Sequence, residues 1–232
     1  MRSESVFTIY HGSQFIIEQP EWGKGNPHND YGLAFYCTRD MELAKEWACT
    51  QMQDGYANAY QLDAADLTIL DLDGGDYHIL NWLAILLENR TFRMNSDLML
   101  QGKDYIRSVF LPDYQEADVI IGYRADDSYF SFANAFLNNA LSLERLQQAM
   151  VLGKLGEQVA VRSQKAFEEL RFVSAEHVDR TVYYPKKRMR DEKARSDFFS
   201  MRQSVGKGTY LMDIIRQQWR NEDERIQPII FE

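Results

Sequence analysis

Disulfides, metal ligands and long apolar runs are all scarce in this sequence, and each absence removes a class of protein. Two cysteines, Cys37 and Cys49, in 232 residues provide neither a disulfide framework nor a metal-ligand spacing, which fits a reducing cytosol. His28, His78 and His177 stand at no ligand spacing from a cysteine or carboxylate cluster, so no metal is expected. No apolar stretch approaches a membrane span, and the opening Met1 to Val6 carries an acidic residue without the apolar run of a signal peptide. The expectation is a cytoplasmic protein with no membrane partner. A Gly-rich dinucleotide loop and regular βαβ alternation are also missing, which disfavours a doubly wound sheet and points to an α+β fold. Positive charge is short as well: the net charge of −9 argues against a protein that coats nucleic acid.

What is present suffices for one good core and an appendage, since 45% of the residues are hydrophobic. Val6 to Tyr10 mixes β-branched and aromatic residues and predicts a strand that delivers His11, Gly12 and Ser13 at its end. Leu33 to Cys37 predicts a second short strand carrying Tyr36. From Asp40 the apolar residues Leu43, Ala44, Trp47 and Ala48 recur at helical spacing, which predicts an amphipathic helix with Trp47 on its inner face. Further strands are predicted at Tyr56 to Leu62, Thr68 to Leu72, Ala117 to Gly122 and Gln158 to Ser163. Further helices are predicted near Tyr77 to Leu87, Gly102 to Phe110, Tyr129 to Leu137 and Ser142 to Leu152, the last closed by Gly153. After Gln158 a helix over Gln164 to Leu170 and a short strand at Phe172-Val173 are expected.

The element Tyr10-His11-Gly12-Ser13, then Tyr36, then Trp47 eleven residues later, then the late strand opening at Gln158, resembles the NAD-binding core of ADP-ribosyltransferases of the poly(ADP-ribose) polymerase and diphtheria-toxin class. The resemblance covers residues 6 to 173. It is closer still to a bacterial family of unassigned ADP-ribosyltransferase-like proteins that carry His-Tyr-Gln. It implies split mixed sheets with flanking helices and NAD as substrate. It also implies an acceptor, protein or nucleic acid, for one ADP-ribose, and the setting of a toxin, an anti-phage effector or an antitoxin-inhibited enzyme. The site residues that it implies are His11, Gly12, Ser13, Tyr36, Trp47 and Gln158.

The residue types suit that chemistry in their own right. Nicotinamide is a flat ring, cationic in the dinucleotide, that two electron-rich rings such as Tyr36 and Trp47 would hold. The backbone of Gly12 offers the carboxamide a donor and an acceptor, with Ser13 Oγ adding a bond, and His11 is expected to donate to a ribose hydroxyl. Gln158 stands where the class carries Glu: it keeps a hydrogen bond to ribose and lacks the anion. That disfavours polymer synthesis and leaves transfer of a single ADP-ribose. Hydrolysis of NAD with water as acceptor, or binding of NAD or ADP-ribose without catalysis, are the alternatives. The neighbouring Glu157 should point the other way, because strand side chains alternate between faces.

A basic run, Arg180 through Arg202, is taken as a solvated helix face with i,i+4 pairs in preference to a platform for a polyanion. Asp126 and Asp127 follow a strand and suit a helix cap better than a catalytic pair, although they could border the acceptor site. The core is placed at residues 1–173. Residues 174–232 are placed in an extension packed on it, with a break at Gly206 to Gly208, a helix over Thr209 to Trp219 and a terminal strand from Ile226 to Phe231.

Overall fold

The computed structural model describes residues 5–125, 127–151, 156–203 and 208–226. In chain order the elements are β1 (Val6–Ser13), β2 (Phe35–Cys37), α1 (Met41–Ala48), β3 (Gly55–Asp63), β4 (Ile69–Asp71), α2 (Ile79–Asn89), α3 (Asp97–Phe110) and β5 (Val119–Tyr123). They continue with α4 (Asp127–Leu137), α5 (Leu143–Val151), β6 (Glu157–Val161), α6 (Gln164–Glu168), β7 (Leu170–Val178), α7 (Arg180–Gln203) and α8 (Leu211–Arg216). The fold is α+β. One antiparallel sheet has the order β1-β3-β7, and a mixed sheet has the order β2-β6-β5-β4, in which only β4 and β5 run parallel.

Apolar alternation stacks these parts into layers. Ile9, Tyr60 and Leu62 of the three-stranded sheet pack against Cys37, Val119, Ile121, Val159 and Val161 of the four-stranded one. The opposite face of the four-stranded sheet, through Leu70, Ile120 and Ala160, meets α2, α3, α4, α5 and α8. Within α2 every residue from Ile79 to Leu87 is buried, the hydrogen-bonded Asn81 included, so this helix occupies the centre of that layer. The outer face of the three-stranded sheet is covered by α1, whose Ala44 and Ala48 lie on Ala57. Small residues permit that approach: a Cβ placed on Gly12 would run into the Ala44 carbonyl, and one on Gly55 into Ala48.

Local signals set the element ends. Asp40 caps α1 by accepting from the amides of Glu42 and Leu43 at 2.9 and 3.2 Å, a cap worth about 1 kcal/mol. Ser96 does the same for α3, whose start at Asp97 lies a turn and more ahead of the expected Gly102. β2 is shorter than the expected Leu33 to Cys37, because Gly32 adopts φ 78° and holds the preceding segment as loop. β7 is longer than the expected Phe172-Val173: it pairs with β3 from Leu170 to Val178 and so runs through the expected boundary at residue 173.

The tail shares the main core, where Leu211, Ile214, Trp219 and Ile226 are buried with α2 and α3. α8 is confined to Leu211–Arg216, and Gln218 turns the chain with φ 52°. Asp127 opens α4. Asp126, Gly153, Gly206, Lys207 and the strand expected beyond Ile226 lie outside the described residues. No helix among the described residues is long and apolar enough to cross a membrane.

Candidate functional site

Among the described residues the two sheets meet edge to edge at one bridge. Tyr10 and Thr38 exchange backbone hydrogen bonds of 2.8 and 2.9 Å, and past that bridge β1 and β2 diverge. Because Tyr10 directs its peptide groups toward β2, the alternation of an antiparallel strand directs those of Gly12 to the same side, away from β3. The gap that opens there is the mouth of a cavity of about 980 Å³. His11, Gly12, Tyr36, Trp47 and Gln158 all line it.

His11 is fixed on two sides. Its Nδ1 lies 2.7 Å from the carbonyl oxygen of Tyr36, and its ring stacks on Phe35 with centroids 4.3 Å apart. Burial lowers its pKa, against the smaller opposing effect of the Tyr36 carbonyl, and so favours the neutral ring. The proton then sits on Nδ1 and donates to that carbonyl, which leaves Nε2 as an acceptor. The donation to a ribose hydroxyl expected of His11 is thereby reversed: a hydroxyl would donate to the imidazole.

Tyr36 also has its polar end committed. Its hydroxyl donates to the Gly32 carbonyl at 2.7 Å and accepts from the Tyr31 amide at 3.0 Å, so the residue offers the cavity a ring and secures the turn before β2. Burial raises the pKa of this phenol well above its ordinary value. Tyr36 pairs with Ala160 on β6, so Tyr36, Ala160 and Gln158 share one face of the sheet. Gln158 is only 7% exposed, and its Oε1 has no partner among the described residues. An unsatisfied buried acceptor of this kind costs about 1–3 kcal/mol until something donates to it.

Glu157 takes the opposite face, as strand alternation predicts. It lies 3.4 Å from Arg39, outside the cavity, and burial raises its pKa. Trp47 is half-buried at the cavity wall instead of being wholly on the inner face of α1. The Arg124 guanidinium stands 4.7 Å from its ring centroid, and its Nε1 has no partner among the described residues. Ser13 does not line the cavity: its Oγ accepts from the Phe15 amide at 3.1 Å and holds the turn that leaves β1.

Several wall residues were not singled out from the sequence. The loop between β1 and β2 contributes Ile17, Pro20, Lys24 and Asp30, and Asn58 of β3 ties its start by accepting from the Ile17 amide and donating to the Phe15 carbonyl. Asp30, buried at the cavity wall, accepts from the Ala125 amide at 2.9 Å and pairs with Arg90 at 3.3 Å. Its place three residues before the expected strand at Leu33 is a signal the sequence offers. The basic run is more than a solvated face: Arg188 does pair with Glu192 at i,i+4, yet Tyr184, Lys187, Arg188, Asp191 and Arg195 line the cavity. Among the described residues six cations and three carboxylates line it, a positive balance in a chain of net charge −9. His28, His78 and His177 stand elsewhere. Among the described residues no three His, Cys, Asp or Glu side chains gather as metal ligands would.

The site can therefore hold a flat ring, an amide against a glycine backbone, a hydroxyl and an anionic group. The chain has no match among curated proteins or solved structures. Its residues 7–172 match the model of the family described as "Protein of unknown function (DUF3990)", and the chain belongs to that family.

Proposed function

We propose that the protein binds NAD in this cavity and transfers a single ADP-ribose to an acceptor. The observation that carries the reading is the meeting of His11, Tyr36, Trp47 and Gln158, drawn from two sheets and a helix, around one cavity with a positive balance. The nicotinamide ring would lie between Tyr36 and Trp47 with its carboxamide against the Gly12 peptide groups, and a ribose hydroxyl would donate to His11 Nε2. A second ribose hydroxyl would satisfy Gln158 Oε1. As the glycosidic C–N bond breaks, nicotinamide departs neutral with the bonding electrons, and positive charge develops on the ribose beside the amide dipole of Gln158. The acceptor then bonds to the same carbon and releases its proton to solvent.

An antiparallel sheet carrying His11 that abuts a mixed sheet carrying Tyr36 and Gln158 suits an ADP-ribosyltransferase-like core. The resemblance to that class further implies a cytoplasmic setting, a protein or nucleic-acid acceptor and an inhibitory antitoxin partner. A specific observation favours one rival, a non-catalytic NAD or ADP-ribose binding module. The side chain at the reacting position is the neutral Gln158, while Glu157 is turned toward Arg39.

Nicotinamide release from NAD by wild type, Gln158→Ala and Gln158→Glu tests the proposal. The transferase reading expects turnover in the wild type, its loss in Gln158→Ala with modest change in affinity, and turnover kept or raised in Gln158→Glu. Wild-type release no faster than the uncatalysed background would sink the enzymatic reading. Product analysis separates transfer from hydrolysis.

A further inference from the structure

The helix α7 lies beyond the residues 7–172 that the family model matches, yet it forms part of the cavity wall. One stripe pins it to α1. Tyr183 and Lys186 reach Glu42 at 3.2 and 3.4 Å, and Arg190 makes paired bonds of 2.7 and 2.9 Å to Glu46, which is 5% exposed. The next stripe, Tyr184, Lys187, Arg188, Asp191 and Arg195 at i, i+3, i+4, i+7 and i+11, faces the cavity. The anchored stripe therefore sets the orientation of the facing one.

Most other cations of the wall are engaged within the protein. Lys24 is 2.6 Å from Glu21, Arg90 is 3.3 Å from Asp30, and Arg124 stands over Trp47. Lys187 has no ion pair among the described residues. Among the described residues Arg188 pairs with Glu192 alone, at 3.1 Å on its own helix, and that solvent-exposed pair is weak enough for a stronger anion to displace. Both residues line the cavity, so together they offer it an ammonium and a forked guanidinium, a combination suited to the phosphate groups of a diphosphate. Arg195 lies two turns further along, about 12 Å away at 1.5 Å per residue, too far to share a diphosphate with them.

We propose that Lys187 and Arg188 seat the diphosphate of the dinucleotide, so that the C-terminal helix completes the ligand site. The assignment of that diphosphate to NAD rests on the function proposed above; the anion seat itself does not. An extended polyanion such as nucleic acid would instead use the whole stripe and need Arg195 equally.

Calorimetric titration separates these cases, with wild type, the Lys187→Ser/Arg188→Ser double variant and Arg195→Ser, at about 50 and about 200 mM salt. The probes are NAD, ADP, inorganic pyrophosphate, nicotinamide riboside and a single-stranded oligonucleotide. The double variant should lose about tenfold or more in affinity for NAD, ADP and pyrophosphate, with flatter salt slopes and no change for nicotinamide riboside. Arg195→Ser should change these by less than about threefold. Unchanged NAD and ADP affinities in a double variant that melts like wild type overturn the proposal. So does oligonucleotide binding that needs Lys187, Arg188 and Arg195 alike while ADP binding does not. Wild type that binds ADP and pyrophosphate through Lys187 and Arg188 but not NAD supports the anion seat and removes the NAD reading. Wild type that binds none of the phosphate probes removes both.

Discussion

His11 and Tyr36 belong to different sheets, and the 2.7 Å contact from the His11 Nδ1 to the Tyr36 carbonyl oxygen ties them across the gap where the cavity begins. The contact fixes which ring nitrogen carries the proton, and so makes the other an acceptor.

A pH dependence follows from that arrangement. Burial holds the His11 pKa below its ordinary 6.5, whereas the unfolded chain titrates near that value. Between the two values the unfolded state binds more protons. The His11 contribution to stability is therefore complete above about pH 6.5 and declines as pH falls toward the folded value. NAD affinity should be flat across neutral pH and weaken on the acid side, when Nε2 becomes a donor. Nitrogen-resolved NMR titration reads this directly, and a His11 pKa at or above 6.5 would contradict it.

The rings are expected to act as rings. Tyr36→Phe keeps the aromatic face and removes the hydroxyl that joins Gly32 to Tyr31, a loss of about 0.5–1.5 kcal/mol of stability per bond. Trp47→Ala removes the opposite face, worth about 0.5–1.5 kcal/mol of binding beyond buried area. Urea unfolding and NAD calorimetry on both variants should therefore move in opposite patterns, and NAD affinity untouched by Trp47→Ala would discard the stacking role.

Gly12 serves the helix as well as the ligand. Gly12→Ala would thrust a methyl group at the Ala44 carbonyl and the Ala48 amide, both backbone groups of α1. A destabilisation of about 1–3 kcal/mol is expected from such overpacking. Chemical denaturation measures it, and a variant as stable as wild type would show that α1 can lift from the sheet without cost.

Asp73 gives the opposite pH signature. Burial, reinforced by the charges of Glu157 and Asp71 and opposed by Arg39, raises its pKa from 3.8 to about 7. Because the folded state keeps this proton longer than the unfolded chain, stability is highest at the acid end of that window and falls as pH rises through it. Asp73→Asn should thus raise the melting temperature more at pH 8 than at pH 5. An equal gain at both values would assign the effect to something other than the charge.

Local pattern carried the elements that need no distant partner. The apolar run of Ala117 to Gly122 foretold an interior strand, found at Val119–Tyr123, and Asp40 with Leu43, Ala44 and Ala48 foretold α1 and its start. Once the resemblance had singled out Gln158, period-two alternation put Glu157 on the other face, since neighbouring strand residues must face opposite ways. These features depend on spacing within about ten residues, which the chain states directly.

The rest required contacts between segments far apart in the chain. Gly12 needs to be glycine because α1 lies on it, and the length of β7 follows from pairing with β3, more than a hundred residues earlier. The basic run has charges all round its helix. The contacts of α7 with α1, among them Tyr183, Lys186 and Arg190 on Glu42 and Glu46, fix the rotation that turns Lys187 and Arg188 to the cavity. Sequence by itself determined the kinds of side chain and their local spacing. Tertiary structure decided which of them share a wall, because the orientation of a helix or strand is set by the surface it packs against, and that surface comes from elsewhere in the chain.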